Sequence, residues 1–271
     1  MSSATINAKD VMKLRQKTGL GMMDCKEALI NANGDMEEAE KYLRETQKGK
    51  MDKRTDRPAG EGRIAIAIDG PKACIVECRS ETDFTARNDM FGEMCNDIAR
   101  HGATQPAGTL SADAIITEKV DTVRITTNEN ASFARGEVFE GGSFGQYIHH
   151  DHKLGVLIQI DGGTADQETL AGICQHIAAH VPTPVAVDQS GMPADLVAEK
   201  KAEAVKEAQE SGKPAEIAEK IAEGKMRKFF EENTLLGQKY IKDPEGKKTV
   251  KDLLPAGITV TGFRRYVVGQ M

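Results

Sequence analysis

Three imidazoles stand close together at His149, His150 and His152. Imidazole nitrogens at such spacing can converge on a cation such as zinc, which would then activate water for hydrolysis. In a strand, however, His150 and His152 share one face while His149 points to the other, and no cysteine lies nearby in sequence to complete a ligand set. Two glycine-bearing segments invite a phosphate. Gly141-Gly142-Ser143-Phe144-Gly145 does not lead into a helix, whose N-terminal N–H groups would cradle the anion. Gly246-Lys247-Lys248-Thr249 lacks the Walker spacing, and no hydroxyl follows its first lysine. No catalytic, metal-binding or cofactor-binding set emerges, and no cofactor is expected. A binding protein with presented loops is the stronger reading, and a histidine-based metal hydrolase the weaker.

The most distinctive stretch is Ser80-Glu81-Thr82-Asp83-Phe84-Thr85-Ala86-Arg87-Asn88. It sets one aromatic ring among charged and hydroxyl side chains, directly after an apolar run from Ala73 to Cys78. Asn88-Asp89 offers an N-cap for the helical pattern that follows, so Thr82 to Arg87 reads as a strand-to-helix loop with Phe84 at its tip. Loops held between regular elements are where binding residues collect. Phe84 is either presented to a partner or folded back as a small core anchor. Met22 and Met23, adjacent beside glycines, pose the same choice between contact surface and core filling.

Around these residues the sequence predicts an α+β protein of several units. Residues 1–48 read as three short helices. The first runs from Asn7 or Ala8 to Thr18 and ends at Gly19; the second is capped by Asp24 and closes near Gly34; the third opens with Asp35 and Glu38 as a capping box. Residues 49–62 are charged, with Pro58 and two nearby glycines, and read as a linker. Ile64, Ile66 and Ile68 alternate, Asp69-Gly70-Pro71-Lys72 turns, and Ala73 to Cys78 returns as a hairpin. Phe91, Met94, Cys95 and Ile98 then form a helical stripe. Phe91–His101 aligns without gaps on Leu170–His180, each after a hairpin-like pair of runs. A duplicated hairpin-plus-helix unit follows, as two subdomains packed side by side over 63–140 and 141–271. Within the second, 195–233 reads as two Ala-, Glu- and Lys-rich helices turning at Ser211-Gly212-Lys213-Pro214, and Ile258 to Val267 as a final strand. The seam of that helical hairpin is thin, so the pair either projects or packs on the body. His101, His176 and His180 fall in helical patterns and read as structural.

Composition narrows the class further. A net charge of -6 without a basic block argues against direct nucleic-acid binding. No apolar run approaches the ~20 residues of a membrane span. Five cysteines without a signal peptide read as reduced thiols in a cytoplasmic setting, with Cys74 and Cys78 on one strand face. Self-association is left open.

TGLGMMDCKEAL (Thr18 to Leu29), NANGD (Asn31 to Asp35), TDFTARN (Thr82 to Asn88), HHDHKLGVL (His149 to Leu157), SGKPAEIAEKIAEGKMRKF (Ser211 to Phe229) and VTGFRRYVVG (Val260 to Gly269) occur in this order. Together they resemble translation elongation factor Ts. The resemblance implies a guanine nucleotide exchange factor, without chemistry of its own, for the GTPase elongation factor Tu. It implies a ubiquitin-associated-like (UBA-like) three-helix domain, a core of two related subdomains and a coiled-coil hairpin. By motif, Thr82, Asp83, Phe84, Thr85, Ala86, Arg87 and Asn88 would form the loop that enters the GTPase near its magnesium, with Asp83 and Phe84 leading. Leu14, Arg15, Met22 and Met23 would face its nucleotide-binding domain, and His149 another domain. The family motif usually has Val where Thr85 stands. The other functional class is an adaptor that binds through its three-helix domain without affecting nucleotide release.

Overall fold

The structure, a computed structural model, describes residues 6–52, 54–210 and 214–270. Its first helix, α1 (Ala8–Thr18), starts where Asn7 Oδ1 accepts the Lys9 N–H and stops at left-handed Gly19, whose N–H returns to Arg15 O. Helix α2 (Met22–Asn31) begins two residues ahead of Asp24, the expected cap. Gly21 takes that position, and Asp24 stands in the first turn, where its charge suits the positive helix end. Helix α3 (Met36–Asp52) is capped by Asp35 Oδ1, which accepts from the N–H groups of Glu37 and Glu38, both at 2.9 Å. The reciprocal half of the capping box is missing, because the Asp35 N–H is given to Ala32 O. Val11, Leu14, Cys25, Ala28, Leu29, Ala39 and Leu43 fill the space between the three helices.

Helix α3 reaches into the segment read as linker and fastens the helical unit to the rest. Met51 is buried and its carbonyl accepts from Arg124 Nη2 at 2.8 Å. Lys48 pairs with Asp121 at 2.8 Å, and Arg44 with Glu118 at 2.6 Å.

The core continues with β1 (Glu61–Asp69), β2 (Lys72–Ser80), the single turn α4 (Asp83–Arg87), α5 (Asp89–Gly102), β3 (Gly108–Thr109), α6 (Ala114–Thr127) and β4 (Ala131–Glu140). These strands form one antiparallel sheet in the order β1-β2-β4-β3. After it come β5 (Ser143–Ile148), β6 (Leu154–Asp161), α7 (Gln167–Ala179), α8 (Ala194–Glu210), α9 (Ala215–Asn233) and β7 (Thr259–Val267), with a second sheet ordered β5-β6-β7. In each half a hairpin is followed by a helix, and a later strand returns to pair with the hairpin's second strand. The matched positions Cys95 and Cys174, and Ile98 and Ile177, are all buried. One difference separates the copies. The first inserts α4 between strand and helix, whereas the second turns on Gly162, where φ is +86° and an added Cβ would meet Gly257 O at 2.1 Å.

The two halves are stacked back to back, which corrects the side-by-side arrangement. Cys74, Val76 and Cys78 face α5 and α6 in one core, while Ala73 and Ile75 face Phe144, Leu157 and Tyr266 of the second sheet in another. On the far side, Val156, Ile158 and Ile160 pack against Leu170, Ile173, Cys174 and Ile177 of α7. Helices, sheet, sheet and helix thus make four layers, and β2, covered on both faces, is buried almost throughout, with an unbroken apolar run from Ala73 to Val76. The sheets approach closely at Gly155, where a Cβ would lie 2.5 Å from Ile64 Cγ2. A buried charge lies between them: Glu77 is wholly buried, held by Arg79 Nε at 2.6 Å, Arg135 Nε at 2.7 Å and the Gly269 N–H at 3.0 Å.

Helices α8 and α9 meet through Ala204, Ala208, Ala218 and Ala222. They pack on each other far more than on any other element, so the pair projects. Its root is tied by backbone bonds from Val185, Leu235 and Leu236 to Asn233, Ala186 and Val187. Of the expected turn, Ser211 to Lys213 lies outside the described residues. Among the described residues no helix is long and apolar enough to cross a membrane.

Candidate partner-binding surface

The sequence after β2 cannot continue the sheet, because Thr82 turns the chain into a helix. Its Oγ1 accepts the Thr85 N–H at 3.2 Å, and one turn later Asn88 Oδ1 caps α5 by accepting the Met90 N–H at 2.9 Å. The expected loop is therefore one helical turn between two caps. Its faces are sharply divided. Thr85 and Ala86 are buried and seat it on the core, while the Phe84 ring is 83 % exposed at its apex. The core-anchor alternative for Phe84 is overturned. Asp83 and Arg87 form an exposed ion pair at 3.3 Å, a contact of little intrinsic stability.

The turn is held from outside its own sequence. Ser80 Oγ donates to Thr82 O at 3.0 Å, and Thr82 Oγ1 donates to both carboxylate oxygens of Glu129 at 3.0 and 2.9 Å. Glu81 Oε1 accepts the Asn130 N–H at 2.7 Å, and Asn130 Nδ2 donates to Thr55 O and Arg57 O. Sequence reasoning missed Glu129 and Asn130. They follow α6, itself unforeseen, and sit nearly fifty positions from the loop they hold, so no local pattern joins them.

Among the other expected contact residues, Met22 is 48 % and Met23 75 % exposed, and Arg15 is also exposed. Leu14 is not on that surface. It is fully buried in the three-helix core, because it lies on the inward stripe of α1 with Val11, and it holds the exposed face rather than forming it. His149 is half-buried, with Nδ1 2.8 Å from the Tyr147 hydroxyl. The two line a surface groove of about 560 Å³ with Leu154, Gln175, Ala178, Ile241 and Lys242.

The histidine run is a turn and not a strand, which corrects the face assignment of His150 and His152. The His149 N–H bonds to Leu154 O, and Asp151 Oδ1 accepts the Lys153 N–H. His152 is left-handed at φ 59, and its carbonyl accepts the Ile64 N–H from the first sheet at 2.8 Å. Burial, with Arg63 nearby, pushes its imidazole below the usual histidine range. Among the described residues no three His, Cys, Asp or Glu side chains are grouped to hold a metal ion.

His176 and the cysteines are held inside the fold. His176 is buried, with Nε2 2.9 Å from Gln238 Oε1 and Nδ1 accepting the Ile241 N–H at 3.1 Å. Desolvation lowers its pKa. All five cysteines are free and buried, and burial pushes the Cys74 thiol up to about 12, which leaves it protonated and unreactive.

Comparison with known proteins bears on the chain as a whole. A family model described as elongation factor TS matches residues 81–270, which includes α4, β3, β4 and the whole second sheet. Proteins named elongation factor Ts from Thioalkalivibrio sulfidiphilus and Hydrogenovibrio crunogenus are each 39 % identical over 279 residues. They cover 98 % of this chain, and 93 % and 92 % of their own lengths respectively. That from Ralstonia nicotianae is 41 % identical over 275 residues, covering 98 % of this chain and 91 % of its own. With the presented turn, the stacked sheets and near-complete similarity all in place, the chain belongs to the elongation factor Ts family.

Proposed function

We propose that this chain is a guanine nucleotide exchange factor that accelerates GDP release from elongation factor Tu during translation elongation in the cytoplasm, without chemistry of its own. The observation that carries this reading is the Phe84 ring, held outside the fold on a clamped turn. Phe84 enters the GTPase as an apolar wedge, and Asp83 beside it disturbs the elements that hold magnesium. Arg15, Met22 and Met23, on a UBA-like unit, face the nucleotide-binding domain, and His149 meets another domain. The helical pair is a short coiled coil.

Magnitudes show why several contacts are needed. A nucleotide bound at ~1 nM with an on-rate near ~10⁶ M⁻¹s⁻¹ leaves at only about 10⁻³ s⁻¹. A 10⁴-fold gain takes roughly 5.5 kcal/mol from the barrier, and burying one Phe contributes about 1.5–3 kcal/mol. The balance comes from weakening the phosphate–metal interaction while the other surfaces supply binding energy. Linkage makes the effect reciprocal: nucleotide weakens binding of this chain by the factor by which the chain weakens nucleotide. Stopped-flow release of labelled GDP from elongation factor Tu, with and without the chain, tests the reading. An unchanged release rate in the presence of bound chain would leave only an adaptor role.

A further inference from the structure

A helix of five residues cannot hold itself. Forming the first hydrogen-bonded turn is the unfavourable step of helix formation, and α4 ends as soon as that step is complete. Its largest side chain is turned outward, so burial of Thr85 and Ala86 is the only apolar anchorage available to it. The pose of Phe84 therefore depends on polar tethers, and these converge on the Thr82 hydroxyl. That hydroxyl accepts from the Thr85 N–H as the N-cap and donates to Glu129 at 3.0 and 2.9 Å. A hydroxyl that donates to a carboxylate is polarised into a better acceptor, so the two bonds reinforce each other. Glu129 is itself fixed in place. It follows left-handed Asn128, the C-cap of α6, and precedes Asn130, whose N–H and carbonyl both bond to Glu81. Arg54 Nη1 donates to Asn128 at both its carbonyl, 2.8 Å, and its side chain, 2.6 Å.

We infer that Glu129 is a positioning residue for nucleotide exchange: through Thr82 it holds the α4 turn so that Phe84 is presented ready-made. The inference rests on the exchange reading above. It assigns Glu129 no contact with the partner; its effect is to spare the complex the cost of ordering the turn at the moment of insertion.

The test follows release of fluorescent GDP from a bacterial elongation factor Tu at rising concentrations of the full chain, giving a maximal rate and a half-saturating concentration. Glu129→Ala is expected to lower the maximal rate about tenfold, equal to about 1.4 kcal/mol of barrier. The half-saturating concentration should move less than about threefold, because the remaining contacts are intact. Glu129→Gln keeps an oxygen that accepts from Thr82 and should recover most of the rate. Thr82→Val, which keeps the shape and deletes the hydroxyl, should lose at least as much as Glu129→Ala, and adding Glu129→Ala to it should cost nothing more. Amide hydrogen exchange should show lost protection at Thr85 and Ala86 in Glu129→Ala with β2 unaffected. Equal maximal rates for the parent chain and Glu129→Ala, or losses that multiply in the double variant, overturn the positioning role and leave exchange standing. A parent chain that binds without accelerating release overturns the exchange reading, and this inference with it.

Discussion

Truncating Phe84 to alanine should separate two quantities that usually fall together. A core Phe cut to Ala costs about 3–5 kcal/mol, but this ring is 83 % exposed, so its loss should change stability by less than about 0.5 kcal/mol. Acceleration of GDP release should fall steeply in the same variant, and Asp83→Ala should reduce it by a separate, electrostatic route. Thermal melting beside release kinetics checks this; a large melting loss with normal release would make Phe84 an ordinary core residue. His176 gives a prediction in pH. Burial holds its folded pKa below that of the unfolded chain, so the unfolded state binds the proton more readily. The stabilisation is complete above about pH 6.5 and is lost as pH falls through the lower, folded value. Melting between about pH 7.5 and 5.5 should show this slope, and His176→Gln should flatten it while lowering stability at the upper end. The Asn88 cap was legible because capping is a local matter, whereas the residues alone left Phe84 open between presented and folded back, because ring exposure depends on whether the distant core leaves room for it. Leu14 was misplaced because a motif records which residues recur near a contact, and an inward Leu that shapes the contact recurs as faithfully as an outward Arg15.

Among the elements, the α8–α9 pair should be dispensable for much of exchange. Its seam is alanine and its surface charged, with few of the large anchors that dominate interface energy. Replacing 195–233 with a short Gly-Ser link, and finding nearly all activity gone from a folded protein, would make the pair a principal contact instead. Helix α2 offers a sharper test, because Met22 and Met23 are exposed on its first turn. Met22→Ala with Met23→Ala should leave melting nearly unchanged and weaken association with the GTPase, measured by titration. Helices with clear caps and stripes, such as α1 and α5, were legible within a residue or two. Helix α6 and strand β4 were not. The apolar face of α6 is interrupted by Asp121 and Arg124, which are buried as a pair at 3.0 Å. In β4, Arg135 likewise turns inward because Glu77 waits there to receive it. Charges drawn inward by a partner, whether three residues away on the same helix or on a neighbouring strand, look like solvent-facing positions in a linear reading.

For the molecule as a whole, deletion of residues 1–52 should leave a folded core that binds the GTPase more weakly, since the three helices have their own apolar centre. The boundary matters. Either cut takes Lys48 from Asp121, but one after Lys48 also leaves Met51 behind without the helix that carries it onto α6. Equal affinity of the shortened and full chains would refute a docking role for the unit. The duplication was legible from matched helices, but its stacking was not, because back-to-back and side-by-side halves bury the same helix stripe and differ only in the opposite face of each sheet. Gly155→Val probes that face. With Ile64 Cγ2 only 2.5 Å from the added Cβ, it should destabilise by about 1–3 kcal/mol by denaturant melting, and smaller Gly155→Ala by less. The buried Glu77 carboxylate has a further consequence in time. One of its donors, the Gly269 N–H, lies 192 positions later in the chain, and Tyr266, which covers the inner face of the first sheet, is nearly as late. On a ribosome the first sheet is synthesised long before Tyr266 and Gly269, and domains emerge N-terminal end first at about 5–20 residues per second. Until they appear the nascent chain has Phe144, Leu157 and the two arginines in hand but lacks Tyr266 and the Gly269 N–H, so the last residues to leave the exit tunnel complete the cover over β2 and its carboxylate. Nascent chains stalled before residue 258 should be protease-sensitive across β2, and released full-length chains resistant.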